Sequence, residues 1–359
     1  MAFKKVVHII RHSDDDPNID NLVKNLNFYE NYIISLPEPL LNKEFYKIRY
    51  LRMKLHAMQE IIRIKPDVLI IYEHFGFPFG TILLLISKIF RIKTIIQSDI
   101  PETTFHLPKN VFKLFISIIR YPLFISQVWL VDTIVCFTEY EKGVLSKILA
   151  RKSKIRIIPS GCNIEIKTPE KERYILSVAT WSDRKNLHTI LKVFKEILKC
   201  NEYKLVVVGG FLEGSYYVIG EDRYETGEQY KQKILKLIEE LNLMDYVELV
   251  GVKSGDELQE LFAKAKIFFL PSKNETFGRV FVEAMASGTP IVAMRNSAVQ
   301  YVVIDGVTGY LRNTEEGQKE AIMRLLTDEI LYKRMQENCL IEAHKYAWES
   351  VAKQWEKII

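Results

Sequence analysis

Cysteine, glycine and proline are scarce in this chain of 359 residues, which has four cysteines, 16 glycines and 12 prolines. No two cysteines form a C-x-x-C pair, so the sequence indicates neither a structural zinc site nor a dense disulfide framework and favours a reducing compartment. The glycine and proline content excludes collagen-like and low-complexity sequences. With 48% hydrophobic and 26% charged residues, the composition is that of a globular protein, and the length predicts about two domains.

Long hydrophobic runs are also missing. Two uncharged apolar stretches, Phe75–Ser87 and Tyr121–Val131, are shorter than the roughly 18 residues that a membrane-spanning helix needs. The first residues, MAFKKVVHII, have no small-residue cleavage site behind their apolar run. We therefore expect no signal peptide and a cytoplasmic location.

Several catalytic motifs are absent as well. The sequence has no G-x-S-x-G, Walker loop or G-x-G-x-x-G, which argues against hydrolases, kinases and dehydrogenases. The histidines show no metal-ligand spacing. Asp14, Asp15 and Asp16 form a D-x-D pattern, but three adjacent carboxylates cannot all face one ion, and Asp before Pro17 is ordinary turn chemistry. We expect no metal ion.

Positive charge is concentrated in the first half of the chain. Residues 1–165 contain 23 Lys and Arg against 16 Asp and Glu, while the rest contains 27 against 29. A slightly basic solvated surface would explain this excess, and so would peripheral contact with an anionic membrane surface. The second interpretation rests on basic residues that alternate with Ile, Phe and Leu: Lys88, Arg91, Lys93, Lys109, Lys113 and Arg120. Without a finger or RNA-binding signature, we expect no nucleic acid partner.

Short β-branched runs alternate with helical patterns along the whole chain, which predicts an α/β fold with parallel sheets. The predicted strands are Val6–Ile10, Val68–Tyr72, Thr94–Gln97, Thr133–Phe137, Ile155–Ile158, Tyr174–Val178, Lys204–Val208, Val247–Val250, Ile267–Leu270 and Ile291–Ala293. The pattern restarts after Pro159-Ser160-Gly161, so we predict two doubly wound domains that face each other across a cleft.

Two further segments stand out. Residues Phe211–Tyr230 predict a long loop at a strand end, either lining the cleft or forming a mobile surface insertion. The helix Lys345–Ile359 carries Trp348 and Trp355 on one apolar face, which predicts that this face is packed.

The most informative segment runs from Leu270 to Thr289. It predicts a strand end, a turn with Glu275, and a helix that begins near Gly278 and contains Glu283. Free N–H groups at the start of such a helix bind anions. Together with two carboxylates, this arrangement suits a nucleotide sugar. The alternative is that Glu275 is a solvated turn residue and Glu283 an exposed helix residue.

This segment, E-TFGRVFV-E-AMASGTPIVA, resembles the Glu-x7-Glu signature of glycosyltransferase family 4. SVATWSDRKNLHTILKVF, YKLVVVGG, VELVGVKSGDELQELFAKAKIFFLPS and VVIDGVTGYL resemble other segments of that family. The resemblance implies a GT-B fold with two Rossmann-like domains, and a retaining, metal-independent reaction without a cofactor. It implies an acceptor-side domain over 1–165, a nucleotide-sugar domain over 166–344, and a helix over 345–359 that crosses back to the first domain.

The resemblance also implies roles for individual residues. Glu275 would lie near the donor hexose and Lys185 would neutralise the departing diphosphate, so these two are the candidate catalytic residues; a solvated lysine at a helix start is the alternative for Lys185. The candidate donor-binding residues are Glu283 (at the ribose), Gly278 and Arg279 (backbone N–H to phosphate), Phe277, Thr276, Arg184, Thr180 and Val252.

The sequence departs from the family at three places. Where the family commonly has Gly-Arg, this chain has Ala179-Thr180, so we expect Arg184 to replace the missing cation. The loop RHSDDDPNID lacks the usual glycines. A family His-Asp is replaced by Ser98-Asp99, which leaves Asp99 and His74 as candidate acceptor-side residues; a helix cap and a core or rim histidine are the alternatives.

The predicted function is that of a retaining glycosyltransferase. It would transfer a hexose-type sugar from a UDP- or GDP-linked donor to a saccharide or lipid-linked acceptor. The alternatives are a catalytically weak GT-B subunit that binds a nucleotide sugar, and a GT-B epimerase or phosphorylase.

Overall fold

The computed structural model describes residues 3–10, 17–35, 55–72, 78–97, 122–148, 154–164, 169–200, 202–218, 223–296 and 298–359. The chain divides into two compact units. The first comprises Met1–Gly161 and Trp348–Ile359, and the second Cys162–Ala347. The boundaries between the units therefore follow Gly161 and Ala347. The sequence analysis placed the domain ends at 165 and 344.

The first unit is built on a six-stranded parallel sheet with the strand order β2-β1-β3-β4-β5-β6. Its strands are β1 (Lys4–Ile10), β2 (Tyr29–Ser35), β3 (Val68–Tyr72), β4 (Lys93–Gln97), β5 (Thr133–Cys136) and β6 (Ile155–Ile157). The inner strands are nearly continuous apolar runs because helices cover both faces of a parallel sheet.

Helices connect these strands. They are α1 (Pro17–Asn25), α2 (55–64), α3 (Pro78–Ile89), α4 (122–130) and α5 (Glu139–Ile148). Residues from α2 to α5, such as Ile61, Leu83, Val128 and Leu145, pack in one core with Leu69 of the sheet. Helix α1 packs on the opposite face.

The second unit has its own six-stranded parallel sheet with the order β11-β8-β7-β12-β13-β14. Its strands are β7 (Tyr174–Val178), β8 (Lys204–Val208), β11 (Val247–Gly251), β12 (Ile267–Leu270), β13 (Ile291–Ala293) and β14 (Gly309–Leu311), with an antiparallel hairpin of β9 (Ser215–Val218) and β10 (Arg223–Thr226). Two parallel sheets of this kind confirm the predicted α/β class.

The helices of the second unit are α6 (Leu187–Leu198), α7 (Gly227–Glu240), α8 (Gly255–Lys264), α9 (Arg279–Ala286), α10 (Val299–Val302), α11 (Glu315–Thr327) and α12 (Glu329–Ala343). Among the described residues of the whole chain, no helix combines the length and the apolar character needed to cross a membrane.

The prediction of a long unstructured loop over Phe211–Tyr230 is wrong. This segment contains the β9–β10 hairpin, and α7 begins at Gly227. The start of α7 is fixed by a capping box, in which the Thr226 hydroxyl accepts a bond from Gln229 N and the Gln229 amide oxygen accepts one from Thr226 N. A Thr-x-x-Gln spacing is a helix-start signal that the sequence analysis did not use.

The C-terminal helix α13 (Trp348–Glu356) packs within the first unit. Trp348, Val351 and Trp355 are buried together with Val6 of β1, which accounts for the apolar stripe seen in the sequence. Gly161 lies directly under Trp348. A Cβ atom at this glycine would be 2.2 Å from the Trp348 ring, so only glycine fits there.

Candidate active site

A short turn connects β12 to α9 in the second unit. Strand β12 is fully buried, and the turn ends at Gly278, which has φ of +81°. A Cβ atom at this position would approach Phe281 Cδ2 to 2.6 Å. Both the left-handed backbone and the close contact therefore require glycine.

Helix α9 begins at Arg279 with Gly278 as its N-cap, in agreement with the predicted start. The first N–H groups of a helix have no partners within the helix, and the helix dipole adds partial positive charge there. The backbone around Gly278 and Arg279 thus offers donors suited to an anion. The helix ends just before Gly288, which has φ of +57°.

A buried ion pair joins the turn to a second loop. Lys185 Nζ lies 2.6 Å from Glu275 Oε1, and the two side chains are only 13% and 7% exposed. Lys185 ends the 3₁₀ helix Asp183–Lys185, which follows β7. The structure therefore brings together the two residues that the sequence analysis assigned as catalytic, and it contradicts solvated positions for both.

The two loops are held together by three further bonds. Lys273 Nζ forms an ion pair of 2.7 Å with Asp183 Oδ2. Lys273 N donates to the carbonyl oxygen of Arg184 at 2.8 Å, and Asn186 Nδ2 donates to that of Pro271 at 3.1 Å. Backbone and side-chain bonds thus fix Lys185 relative to the turn that contains Glu275.

Three buried polar atoms around these loops have no hydrogen-bond partner among the described residues. They are Asn186 Oδ1, Ser272 Oγ and Arg279 Nε. Buried polar atoms are nearly always hydrogen-bonded in native proteins. Because these three lie on the loop after β7, the turn after β12 and the first turn of α9, they represent capacity for a polar ligand.

Glu283 lies one turn into α9, as predicted, and has a different cationic neighbour. Arg279 Nη2 is 3.7 Å from Glu283 Oε1. Burial raises the pKa of Glu283 above its usual value, and the charge of Arg279 opposes this rise. Burial raises the pKa of the nearby Cys162 thiol to about 12, and the charge of Glu283 makes a smaller contribution in the same direction.

The other predicted donor residues occupy varied positions. Phe277 is buried, with its ring centroid 5.8 Å from that of Tyr346. Thr276 is half-buried, while Arg184 and Thr180 are exposed. Val252 follows β11 and is 76% exposed. None of these five side chains belongs to the Lys185–Glu275 ion pair.

Sequence reasoning missed Asp183, Asn186, Ser272 and Lys273. Asn186 has φ of +64°, in the left-handed region that Asn tolerates better than most residues. The asparagine directly after Lys185 was the one feature of the sequence that could have indicated this backbone conformation. The ion pair between Asp183 and Lys273 spans 90 positions, and nothing in the local pattern indicates it.

Some predicted residues lie outside the part of the chain that the structure describes: Asp14, Asp15, Asp16, His74 and Asp99. Within the described ranges, no group of three or more His, Cys, Asp or Glu side chains is arranged to hold a metal ion.

A separate groove of about 900 Å³ opens along α8, β8 and β11. Its lining contains none of the predicted site residues. Charged side chains of the lining form ion pairs, such as Lys253 with Glu257 and Lys264 with Glu260. This groove is therefore separate from the buried Lys185–Glu275 pair.

Comparisons with known proteins bear on the activity class and on the fold. Residues 164–339 match the family model described as Glycosyl transferases group 1. An uncharacterized glycosyltransferase of Methanocaldococcus jannaschii is 29% identical over 350 residues, which cover 92% of this chain and 90% of that protein. A D-inositol 3-phosphate glycosyltransferase of Corynebacterium urealyticum is 29% identical over 243 residues, covering 64% of this chain and 55% of that protein.

Solved structures show the same architecture. HepE of Anabaena, in complex with UDP and glucose, matches with a TM-score of 0.70 at 14% identity, and the match covers 99% of both chains. Sucrose-phosphate synthase of Thermosynechococcus elongatus matches with a TM-score of 0.73 at 18% identity, covering 99% of this chain and 98% of that one. At such identities the likeness bears on the fold alone, and the family match and the sequence relatives supply the activity class. The chain is a glycosyltransferase with the GT-B fold.

Proposed function

We propose that this protein is a retaining glycosyltransferase of family 4 that uses a nucleotide-diphosphate sugar, UDP- or GDP-linked, as donor and a saccharide or lipid-linked molecule as acceptor. The observation that carries the proposal is the buried Lys185–Glu275 pair beside the N-terminus of α9. The UDP and glucose bound by HepE support a nucleotide sugar as the donor.

The diphosphate would bind at the start of α9. Backbone N–H groups of Gly278 and Arg279 would donate to phosphate oxygens, where the helix dipole favours negative charge. Lys185 Nζ would turn from Glu275 towards the same phosphates. Because the bonds between the two loops already fix the backbone of Lys185 relative to the turn, only the side chain would move, and its ammonium would then offset the charge that develops on the leaving group.

Glu275 would accept hydrogen bonds from hydroxyl groups of the donor hexose once Lys185 has moved to the phosphates. In the transfer step, the bond between the sugar C1 and the β-phosphate oxygen breaks with its electron pair on the phosphate. The acceptor oxygen bonds to C1 from the same face, and its proton passes to the departing phosphate oxygen. No cofactor enters this scheme.

Glu283 would accept hydrogen bonds from the ribose hydroxyls. The ionised form is the stronger acceptor, and the pKa of Glu283 is raised by burial. Donor affinity should therefore weaken as the pH falls towards that raised pKa. His74 and Asp99 remain our candidates for contact with the acceptor.

The test uses the full chain with UDP-glucose, GDP-mannose and their nucleotides. A ligand that binds only the folded state adds about 2.7 kcal/mol of stability at a hundredfold excess over its Kd, so thermal shifts identify the nucleotide. With that donor, Lys185→Ala and Glu275→Ala should each lower the transfer rate by about 10²–10³. Lys264→Ala, on helix α8 and not among the site residues, is the control.

The anomeric configuration of the product, read by NMR, tests the stereochemistry separately. A product with the donor's configuration supports retention, and the opposite anomer overturns it. Wild-type transfer rates in both Lys185→Ala and Glu275→Ala would refute the proposed site.

A further inference from the structure

The outward side of α3 in the first unit is apolar. Ile82, Leu85 and Ile89 are 43%, 49% and 76% exposed, and their spacing of three and four places them on one face of the helix. The opposite side, with Leu83 and Leu84, is buried in the core. A surface helix of a globular protein normally presents polar residues to solvent, so this face differs from the usual pattern.

Helix α7 of the second unit shows the usual arrangement. Its exposed positions include Glu228, Lys231, Lys236 and Glu239, and Leu235, 43% exposed, stands among charged neighbours. The apolar outer face of α3 therefore differs from the largely charged outer face of α7.

The apolar surface continues beyond the helix. Phe90 is 46% exposed directly after α3, and Trp129 is 59% exposed near the end of α4. The ends of these two helices are neighbours, because Lys88 of α3 forms an ion pair with Asp132, which follows α4. We call Ile82, Leu85, Ile89, Phe90 and Trp129 the α3 patch. Tryptophan is enriched where proteins meet the interfacial region of a bilayer.

Positive charge lies at the end of the α3 patch. Arg91 and Lys93 are exposed, and neither forms an ion pair with any residue in the described ranges. Basic side chains beside an apolar helix face are the signature of helices that lie in the plane of an anionic membrane surface. A symmetric contact between two copies of the chain would instead bring the same basic edges towards each other.

We propose that the α3 patch docks on an anionic lipid bilayer. Helix α3 has 12 residues, too few to cross a membrane, so it would lie parallel to the surface with its apolar face in the interfacial region. Arg91 and Lys93 would contact lipid phosphates. This contact does not depend on the transfer reaction proposed above, and it would place the first unit at the surface where a lipid-linked acceptor resides.

The experiment measures co-flotation of the full chain, without nucleotide, with vesicles of phosphatidylcholine alone or mixed with phosphatidylglycerol. The wild-type protein should bind the mixed vesicles. Leu85→Asp with Ile89→Asp should lower the partition coefficient by about tenfold. The matched control is Leu235→Asp on α7, a leucine of similar exposure, which should leave binding unchanged. Circular dichroism verifies that each variant is folded.

Charge is tested by Arg91→Glu with Lys93→Glu. This variant should also bind about tenfold less, and wild-type binding should weaken as salt is raised. Equal binding to both kinds of vesicle, no binding by the wild type, or equal losses in the Leu235→Asp control would overturn the proposal. If size-exclusion chromatography shows a dimer that Leu85→Asp with Ile89→Asp dissociates, the α3 patch is an interface between copies of the chain and the proposal is wrong.

Discussion

Each unit contains a buried polar cluster, and the two clusters differ in charge. In the second unit, ion pairs connect the loops after β7 and β12: Lys185 with Glu275 and Lys273 with Asp183. In the first unit, a neutral cluster lies against the sheet. His8 is fully buried, its Nδ1 is 3.1 Å from the Tyr72 hydroxyl, and its Nε2 is 3.1 Å from Asn31 Oδ1.

The neutral cluster has one consistent pattern of donors and acceptors. An amide oxygen can only accept, so His8 Nε2 donates to Asn31 and the Tyr72 hydroxyl donates to Nδ1. Burial lowers the pKa of His8 to about 4. The neutral His8 cluster contains no cation that could bind an anionic ligand. In the Lys185–Glu275 ion pair, the lysine ammonium can turn from the carboxylate to a phosphate. This difference agrees with donor binding by the second unit.

The largest expected effect comes from breaking the Lys185–Glu275 ion pair. Lys185→Met removes the cation beside the buried Glu275 carboxylate, and Glu275→Leu removes the anion beside the buried Lys185 ammonium. Each change should reduce the stability of the second unit by about 3–5 kcal/mol. The double variant should recover much of the lost stability, because it contains neither the ammonium nor the carboxylate. Hydrogen-exchange mass spectrometry at increasing urea, without nucleotide, measures this for peptides of the second unit.

The neighbouring ion pair serves as the internal control for this cycle. Lys273 is 33% exposed and Asp183 is 10% exposed, so solvent reaches this pair on one side only, and Lys273→Met should reduce stability by less, about 1–3 kcal/mol. If the losses of Lys185→Met and Glu275→Leu simply add in the double variant, the two residues are not energetically coupled.

The buried neutral His8 should make the folded protein less stable in acid. The folded chain does not protonate His8 until about pH 4, whereas an unfolded histidine takes up a proton near 6.5. Stability present at pH 7 is therefore lost as the pH falls through this window, by up to about 3 kcal/mol. His8→Gln removes the titrating group, so the melting temperature of that variant should depend less steeply on pH between 7 and 4.

The control for this pH series is His56→Gln, at an exposed position on α2, whose pH dependence should follow that of the wild type. A His8→Gln variant with an unchanged slope would show that the buried histidine does not account for the loss of stability in acid.

The strands could be predicted best where they are buried on both sides. Five have the predicted bounds, among them Val68–Tyr72 and Ile267–Leu270, because an inner parallel strand is a continuous apolar run. The strands that were missed include β2 and β14, which lie at sheet edges. β2 mixes polar and apolar residues, and β14 has three residues, so neither gives a distinct pattern.

The site could be predicted only as separate residues. The resemblance singled out Glu275 and Lys185, yet the sequence could not show that the two form a buried ion pair, because 90 positions separate them. The His8 cluster could not be predicted at all. Its three members come from three different strands, and they are brought together by the parallel register of β1 with β2 and β3.

The smallest expected effect concerns Asn186, which connects the loop after β7 to the turn after β12. Asn186 combines a left-handed backbone with the bond to Pro271 and a buried oxygen that has no described partner. Asn186→Gly loses one hydrogen bond but also removes the unsatisfied oxygen, and glycine tolerates the backbone, so stability should change little. Asn186→Ala makes the same polar change and adds about 1 kcal/mol of backbone strain.

The difference between the two variants therefore isolates the backbone contribution at Asn186. Hydrogen exchange of the second unit gives the stabilities, and nucleotide thermal shifts show whether Lys185 stays in position. If the loop geometry matters for the donor, Asn186→Gly should keep the nucleotide shift and Asn186→Ala should reduce it. Equal stabilities in the two variants would mean that the loop relaxes out of the left-handed conformation, and that the ion pairs alone hold Lys185 against the turn.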